Sequence, residues 1–144
     1  MSDITIVINL LLAFLLGGVV GWFREKEGKS AGLRTHILVS VGSALFMIIS
    51  GNMMFIVNTG TADRIAAGVV TGIGFIGAGC ILRAEGNIRG MTTAASIWIT
   101  AAIGLAAGTS MYLAAVVVTF ITYLTLEPLG YVEKRIKKYR DSPE

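Results

Sequence analysis

Residues 65–96 read IAAGVVTGIGFIGAGCILRAEGNIRGMTTAAS, in which two apolar runs are joined by a short charged turn. The first run, residues 65–82, carries glycines at positions 68, 72, 74, 77 and 79. Each glycine inside a helix costs about 1 kcal/mol relative to alanine, so this run would form a poor soluble helix. In a bilayer, small residues let neighbouring helix backbones touch. The run therefore predicts a membrane helix that other helices surround.

The predicted contact positions of this helix are its small residues. At helical spacing Ala67, Thr71, Gly74 and Ala78 form one stripe. Glycines spaced four residues apart also occur in the first and fourth apolar segments. The sequence therefore predicts helix packing at these glycines: Gly17, Gly21, Gly68, Gly72, Gly74, Gly77, Gly79, Gly104 and Gly108.

The composition of the chain is that of a membrane protein. Of 144 residues, 54% are hydrophobic, and the mean hydropathy is +0.75. Soluble domains contain about 45–50% apolar residues. A membrane helix needs about 20 apolar residues. Five such segments are predicted, at residues 4–23, 36–57, 65–82, 91–108 and 111–126. We therefore expect an all-α membrane protein with a five-helix transmembrane bundle over residues 1–128.

The positive charges lie between the spans and in the tail, which argues against nucleic acid as a partner. The first and third loops and the tail hold 11 of the 12 Lys and Arg residues. Basic loops stay in the cytoplasm, so we expect the N-terminus outside and the C-terminus inside. Residues 129–144 place Leu129, Val132, Ile136 and Tyr139 on one stripe among basic residues. This pattern predicts a basic amphipathic helix on the inner leaflet or a short soluble extension.

Polar residues inside the spans are the first functional candidates. Thr93, Ser96 and Thr100 share one face of the fourth span. This face could line a water-filled path for an ion or pack against the glycines of the third span. His36, at the cytoplasmic boundary of the second span, could be a hydrogen-bonded polar anchor or a group that titrates near neutral pH.

Acidic residues flank the spans and do not enter their centres. Asp63 is predicted as the N-cap of the third span, with a pore mouth or an ion-sensing position as the alternative. Glu27 and Glu85 could form salt bridges and neutralise helix ends, or bind a hard cation such as Mg²⁺. These three carboxylates are weak metal candidates, and no cofactor is firmly predicted.

An internal repeat relates the two charged turns. Residues 21–35 align without gaps with residues 79–93 at five identical positions. Each unit is a span, a turn and a span in the same orientation, which predicts a parallel two-span repeat. Thr35 and Thr93 are predicted to cap the helices that follow the turns.

Three stretches together resemble the MgtC/SapB family of bacterial inner-membrane proteins. They read AGLRTHILVSVGSALF, DRIAAGVVTGIGFIGAG and RGMTTAASIWITAAIGLAAG. The resemblance implies a five-span bundle in the inner membrane, here as a short form without the soluble C-terminal domain of longer members. It also implies a link to magnesium homeostasis or stress adaptation, and for some members binding to other membrane proteins such as ATP synthase. The functional positions that it implies are Arg34, Thr35, His36, Asp63, Arg64, Thr71, Arg89, Thr92 and Thr93.

Two functions fit this sequence. The first is a small membrane protein that acts through helix contacts with itself, as a homo-oligomer, or with a membrane-protein partner. The second is a channel or transporter for Mg²⁺ or another cation, although ion paths usually carry an acidic residue at membrane depth. We expect no enzyme, because no nucleophile–base pair or paired carboxylates lie within the spans.

Overall fold

The computed structural model describes residues 1–57, 62–84 and 87–129 of the chain. Five helices follow one another: α1 (Asp3–Lys26), α2 (Leu33–Val57), α3 (Ala62–Gly79), α4 (Met91–Gly108) and α5 (Tyr112–Leu126). Between α3 and α4, strands β1 (Leu82–Ala84) and β2 (Asn87–Arg89) form an antiparallel hairpin in which Leu82 pairs with Arg89. The predicted all-α membrane bundle of five helices is confirmed. Most of the predicted tail, residues 130–144, lies outside the described residues.

The helices differ in their suitability to cross a bilayer. Within the described part of the chain, three helical segments are long and apolar enough to do so: Asp3–Lys26, Leu33–Met53 and Met91–Gly108. Helix α5 is apolar but has only 15 residues. Helix α3 has 18 residues, and its first turn contains Asp63. The three long spans belong to the helices that form the centre of the bundle.

Helix α2 makes its most extensive contacts with α1 and α4. Two glycines of α1 bring it against α2. A Cβ atom on Gly17 would lie 2.7 Å from the Cβ of Ser40, and a Cβ on Gly21 would lie 2.7 Å from the Cα of Leu33. Real Cβ atoms do not approach so closely, so only glycine fits at either position.

Helix α4 approaches α2 in the same way, and it does so beside α1, because Gly104 and Gly17 both contact Ser40. A Cβ atom on Gly104 would overlap the carbonyl oxygen of Ser40, and one on Gly108 would lie 2.5 Å from the carbonyl oxygen of Ala44. The GxxxG pairs of α1 and α4 thus bring both helix backbones against the backbone of α2, as small residues do in membranes.

Helix α3 lies at the edge of the bundle, which corrects the expectation that other helices surround it. It rests on α4 through Ile73, which packs with Ile97 and Ala101, and through Gly77, whose Cβ position is 3.5 Å from the Cβ of Ala94. Phe75 is 86% exposed. Four other glycines of α3 make no close helix contact with the described residues of a single chain, because their Cβ positions meet no described atom within 4 Å: Gly68, Gly72, Gly74 and Gly79.

At the end of the bundle where α4 turns into α5, the helices are linked by Asn9, a fully buried residue of α1. Its side-chain nitrogen donates to the carbonyl of Gly108 and the hydroxyl of Ser110, both at 3.2 Å, and its oxygen accepts from the hydroxyl of Tyr112 at 2.8 Å. The turn between α4 and α5 is therefore tied to α1 by hydrogen bonds.

The turns correct two capping predictions. Thr35 and Thr93 are third residues of α2 and α4, so neither is an N-cap. At α2, the carboxylate of Glu25 accepts a hydrogen bond of 3.0 Å from the amide of Leu33. At α4, the cap is Gly90, with a φ of 92° and a Cβ position that would overlap the carbonyl of Cys80.

The two aligned turns of the internal repeat also have different local structures. Helix α1 continues to Lys26 before the first turn, whereas α3 ends at Gly79 and the hairpin of β1 and β2 follows. Gly21 accordingly lies inside a helix, while its counterpart Gly79 is the last residue of one. The turns of the two units therefore differ, whereas the helices that follow them, α2 and α4, begin at the aligned residues Leu33 and Met91.

A methyl group added at a glycine should destabilise the protein more in α4 than in α3. Gly104→Ala should lower the free energy of unfolding by about 1–3 kcal/mol, because the new methyl group overlaps the backbone of α2. Gly72→Ala should change it by less than about 1 kcal/mol, since its Cβ position is open. Denaturant unfolding of the monomer in detergent, followed by circular dichroism, measures both. Equal losses would contradict this description of the core.

Candidate functional site

A group of polar side chains lies inside the bundle where α1, α2 and α4 meet. We call it the polar seam. Its positions recur at helical spacing on α2 and α4, which is why they face one another once the glycines bring the helices together. All of its members are buried: Arg24, His36, Ser40, Thr93, Ser96 and Thr100.

Arg24 is the charged member of the seam and is 2% exposed. Its Nη2 donates to the hydroxyl oxygen of Thr93 at 2.5 Å, and its Nη1 lies 3.8 Å from the carboxylate of Glu27. Its Nε has no hydrogen-bond partner among the described residues. A buried charge is costly unless it is paired and hydrogen-bonded. The bond to Thr93 therefore both stabilises the guanidinium and ties α1 to α4.

His36 is fully buried and hydrogen-bonded through both ring nitrogens. Its Nδ1 is 2.8 Å from the carbonyl of Gly32. A carbonyl only accepts, so Nδ1 carries a proton. Its Nε2 is 3.0 Å from the hydroxyl of Ser96, which is 2.8 Å from the carbonyl of Thr93. In the neutral ring Nε2 accepts from Ser96. In the charged ring Nε2 donates, and Ser96 donates to Thr93.

The hydroxyls of the seam bond mainly to their own helix. Thr100 donates to the carbonyl of Ser96 at 2.7 Å, while the hydroxyl of Ser40 has no partner among the described residues. The six seam side chains include one permanent positive charge and no carboxylate. Together with the backbone contacts at Gly17 and Gly104, this arrangement disfavours passage of a cation through the centre of one chain.

The predicted metal candidates do not converge in the described structure. The carboxylate of Glu27 lies 3.8 Å from Arg24 and 3.9 Å from the Nζ of Lys29, as expected for the salt-bridging alternative. Asp63 is the second residue of α3 and not its N-cap, although its charge still lies at the positive helix end. Glu85 is outside the described residues. Within the described part, no three His, Cys, Asp or Glu side chains form a group that could hold a metal.

Of the other predicted functional positions, some lie in the polar seam and others lie on the surface. The seam brings together His36, Thr93, Ser96 and Thr100. Thr35 is half-buried. Thr71 is exposed, and its hydroxyl donates to the carbonyl of Ala67 at 2.9 Å. The remaining exposed positions are Arg34, Arg64, Arg89 and Thr92.

Sequence reasoning missed Arg24 and Asn9. A count of charges by loop places Arg24 between the spans, yet it lies inside α1, one turn beyond Gly21 on the packing face of the helix. The series Gly17, Gly21, Arg24 follows helical spacing, so the signal was present. Its partner Thr93 is remote in the chain, and no local pattern identifies it.

Helix α3 presents a second candidate surface, which we call the α3 stripe. It consists of the small residues Ala67, Thr71, Gly74 and Ala78. All four are exposed. Helical spacing places them on a different side of α3 from Ile73 and Gly77, which contact α4. The stripe is thus the small-residue surface that the sequence predicts, but in a single chain the described residues do not cover it.

Comparison with known proteins agrees with this architecture. The profile of the MgtC family matches residues 10–135, which include most of α1 and all of the later helices. The chain belongs to the MgtC family.

Several curated relatives of this family member are known. YhiD of Escherichia coli (strain K12), named "Putative magnesium transporter YhiD", is 49% identical over 84% of this chain and 59% of its own length. Protein MgtC of Salmonella typhimurium (strain LT2) is 42% identical over 96% of this chain and 58% of its own length. Protein SrpB of Synechococcus elongatus is 41% identical over 82% of this chain and 71% of its own length. The chain thus spans less than two thirds of YhiD and MgtC. No solved structure is significantly similar to it.

The polar seam predicts that the buried hydroxyl of Thr93 stabilises the fold and that the hydroxyl of the neighbouring Thr92 does not. Thr93→Val removes the acceptor for Arg24 and should lower the free energy of unfolding by about 1.5–3 kcal/mol, as for bonds to charged groups. Thr92→Val, at an exposed position, should change it by less than about 0.5 kcal/mol. Unfolding in detergent measures both, and Thr93→Ser should restore most of the loss. A Thr93→Val variant as stable as Thr92→Val would contradict the role given to Arg24.

Proposed function

We propose that this chain is a magnesium-linked protein of the bacterial inner membrane that acts by docking its α3 stripe against another transmembrane helix. That helix belongs to a second copy of the chain or to a different membrane protein. The observation that carries the proposal is the exposure of Ala67, Thr71, Gly74 and Ala78 in a single chain. We further propose that the N-terminus lies outside and the C-terminus in the cytoplasm, as the distribution of Lys and Arg suggests.

The two classes of glycine in this chain support the proposal. In α1 and α4, the glycines of both GxxxG pairs lie against the backbone of α2. In α3, four glycines have no neighbouring described atom at their Cβ positions, although each costs about 1 kcal/mol of helix propensity. Lipid tails are as apolar as leucine and gain nothing particular from a flat helix face. A helix that packs on the stripe would restore the contact that compensates for these glycines.

The magnesium link rests on the family relationship. The Escherichia coli relative carries a magnesium transporter in its name. On the strength of this relationship, we propose for this chain a part in magnesium homeostasis or stress adaptation through protein contacts.

Cation transport is the second candidate, and the name of the same relative favours it. The polar seam supports it less well, because Arg24 places a positive charge inside the bundle and the backbones of α1, α2 and α4 touch. If Mg²⁺ crosses at all, a path between copies, beside Asp63 and Thr71, fits the structure better than one through a single chain.

The docking proposal is tested by chemical crosslinking in native membranes. The unmodified chain should give a discrete crosslinked species. Gly74→Leu should abolish this species without unfolding the chain, since its Cβ position is open. Val116→Leu, an exposed apolar position on α5, is the control and should leave the species unchanged. A crosslinked species that survives Gly74→Leu, or no species in the unmodified chain, would contradict docking through the stripe.

The transport candidate is tested separately in liposomes that contain a Mg²⁺-sensitive dye. We expect no influx above that of protein-free liposomes under an inward Mg²⁺ gradient. Influx that disappears in Asp63→Ala or Thr71→Leu would instead show that the chain conducts the ion and would replace the docking proposal.

A further inference from the structure

A cleft of about 740 Å³ lies between α2 and α3, at the edge of the bundle. Its volume falls within the range of small-molecule sites. Its walls are apolar apart from Ser43 and Arg64. The residues that line it include Leu38 and Phe46 of α2, and Arg64, Gly68, Gly72 and Ile76 of α3.

The polar end of the cleft is Arg64. This residue lies in the first turn of α3 and is exposed. From Arg64 to Ile76 the helix rises about 18 Å, at about 1.5 Å per residue. One leaflet of hydrocarbon is about 15 Å deep. The cleft therefore has the length of a leaflet, with a cation at one end and an apolar lining along the rest.

We propose that this cleft binds a membrane phospholipid, with one acyl chain between α2 and α3 and the phosphate on the guanidinium of Arg64. An acyl chain matches the apolar walls, and arginine recognises phosphate through paired, charge-assisted hydrogen bonds. The open Cβ positions of Gly68 and Gly72 leave room for the chain against the α3 backbone. This proposal goes beyond the proposed docking function and does not depend on it.

A transmembrane helix is a poorer occupant than an acyl chain. With its side chains, a helix is about 10–12 Å across. A cylinder of that width along the whole cleft occupies about 1,400–2,000 Å³, which is more than the empty space of about 1260 Å³ between α2 and α3. A helix could contact the exposed rim at Leu38 and Phe46 but could not enter. The α3 stripe also faces a different direction from the cleft, so a lipid here and a helix on the stripe could be bound together.

Lipid binding can be measured by native mass spectrometry of the purified chain in detergent, with three added probes. Dimyristoyl phosphatidylglycerol should bind as one molecule per chain. Dimyristoylglycerol, which lacks the phosphate, should bind about tenfold more weakly or worse, since charge-assisted bonds of this kind correspond to a factor of about ten or more. Inorganic phosphate alone should not bind, which separates a lipid headgroup from free phosphate.

Two pairs of variants locate the site. Arg64→Gln should weaken phosphatidylglycerol binding to the level of dimyristoylglycerol, whereas Arg89→Gln, an exposed arginine in the hairpin, should not. Gly72→Phe should fill the cleft and reduce binding of both lipids, whereas Val70→Phe, exposed on the same helix, should not. Equal binding by Arg64→Gln and Arg89→Gln would overturn the proposal, and this pair remains decisive if Gly72→Phe fails to fold. Loss of crosslinking on the stripe would leave these results unchanged.

Discussion

The close contact of the α2 backbone with both α1 and α4 determines how the other parts of the structure are placed. Gly17, Gly21, Gly104 and Gly108 make this contact possible, because no larger residue fits at their Cβ positions. Lipid tails are as apolar as the helices, so van der Waals packing and hydrogen bonds hold the bundle together. Once the backbones meet, the polar seam forms between them, and the bond from Arg24 to Thr93 fixes the register of α1 and α4.

The close-packed centre and the edge of the bundle differ in what their glycines contact. Helices α1, α2 and α4 use their GxxxG glycines for contacts within the chain, whereas α3 keeps four of its glycines outside any contact with the described residues. The closed centre disfavours a cation path through one chain, and the open edge favours recognition of other molecules in the membrane. The proposed link to magnesium rests on the relationship to a protein that is named a putative magnesium transporter. The geometry of α3 suggests how a chain whose described residues form no metal-binding group could act on its surroundings.

The sequence predicted where the helices lie in the chain, but it did not predict which helices contact one another. Apolar run lengths placed all five helices, because helix formation in a bilayer depends on local hydropathy. Three GxxxG pairs were equally strong as patterns, yet only those of α1 and α4 contact α2. The pattern shows that a backbone can be approached and does not show which helix approaches it. Arg24 was missed for a related reason, since its environment depends on residues of α4 that are remote in the chain.

A spin label at Val70 measures whether a protein helix covers the α3 stripe in the membrane. This residue is exposed in a single chain and lies one turn from Gly74, beside the stripe. With Cys80 replaced by serine and the label on an introduced cysteine, collisions with oxygen dissolved in the bilayer measure lipid exposure. If a helix covers the stripe, the label at Val70 should be strongly shielded in native membranes, relative to a label at the exposed Leu113 of α5, and Gly74→Leu should remove that shielding. Equal access of oxygen to both labels in native membranes would contradict the docking proposal.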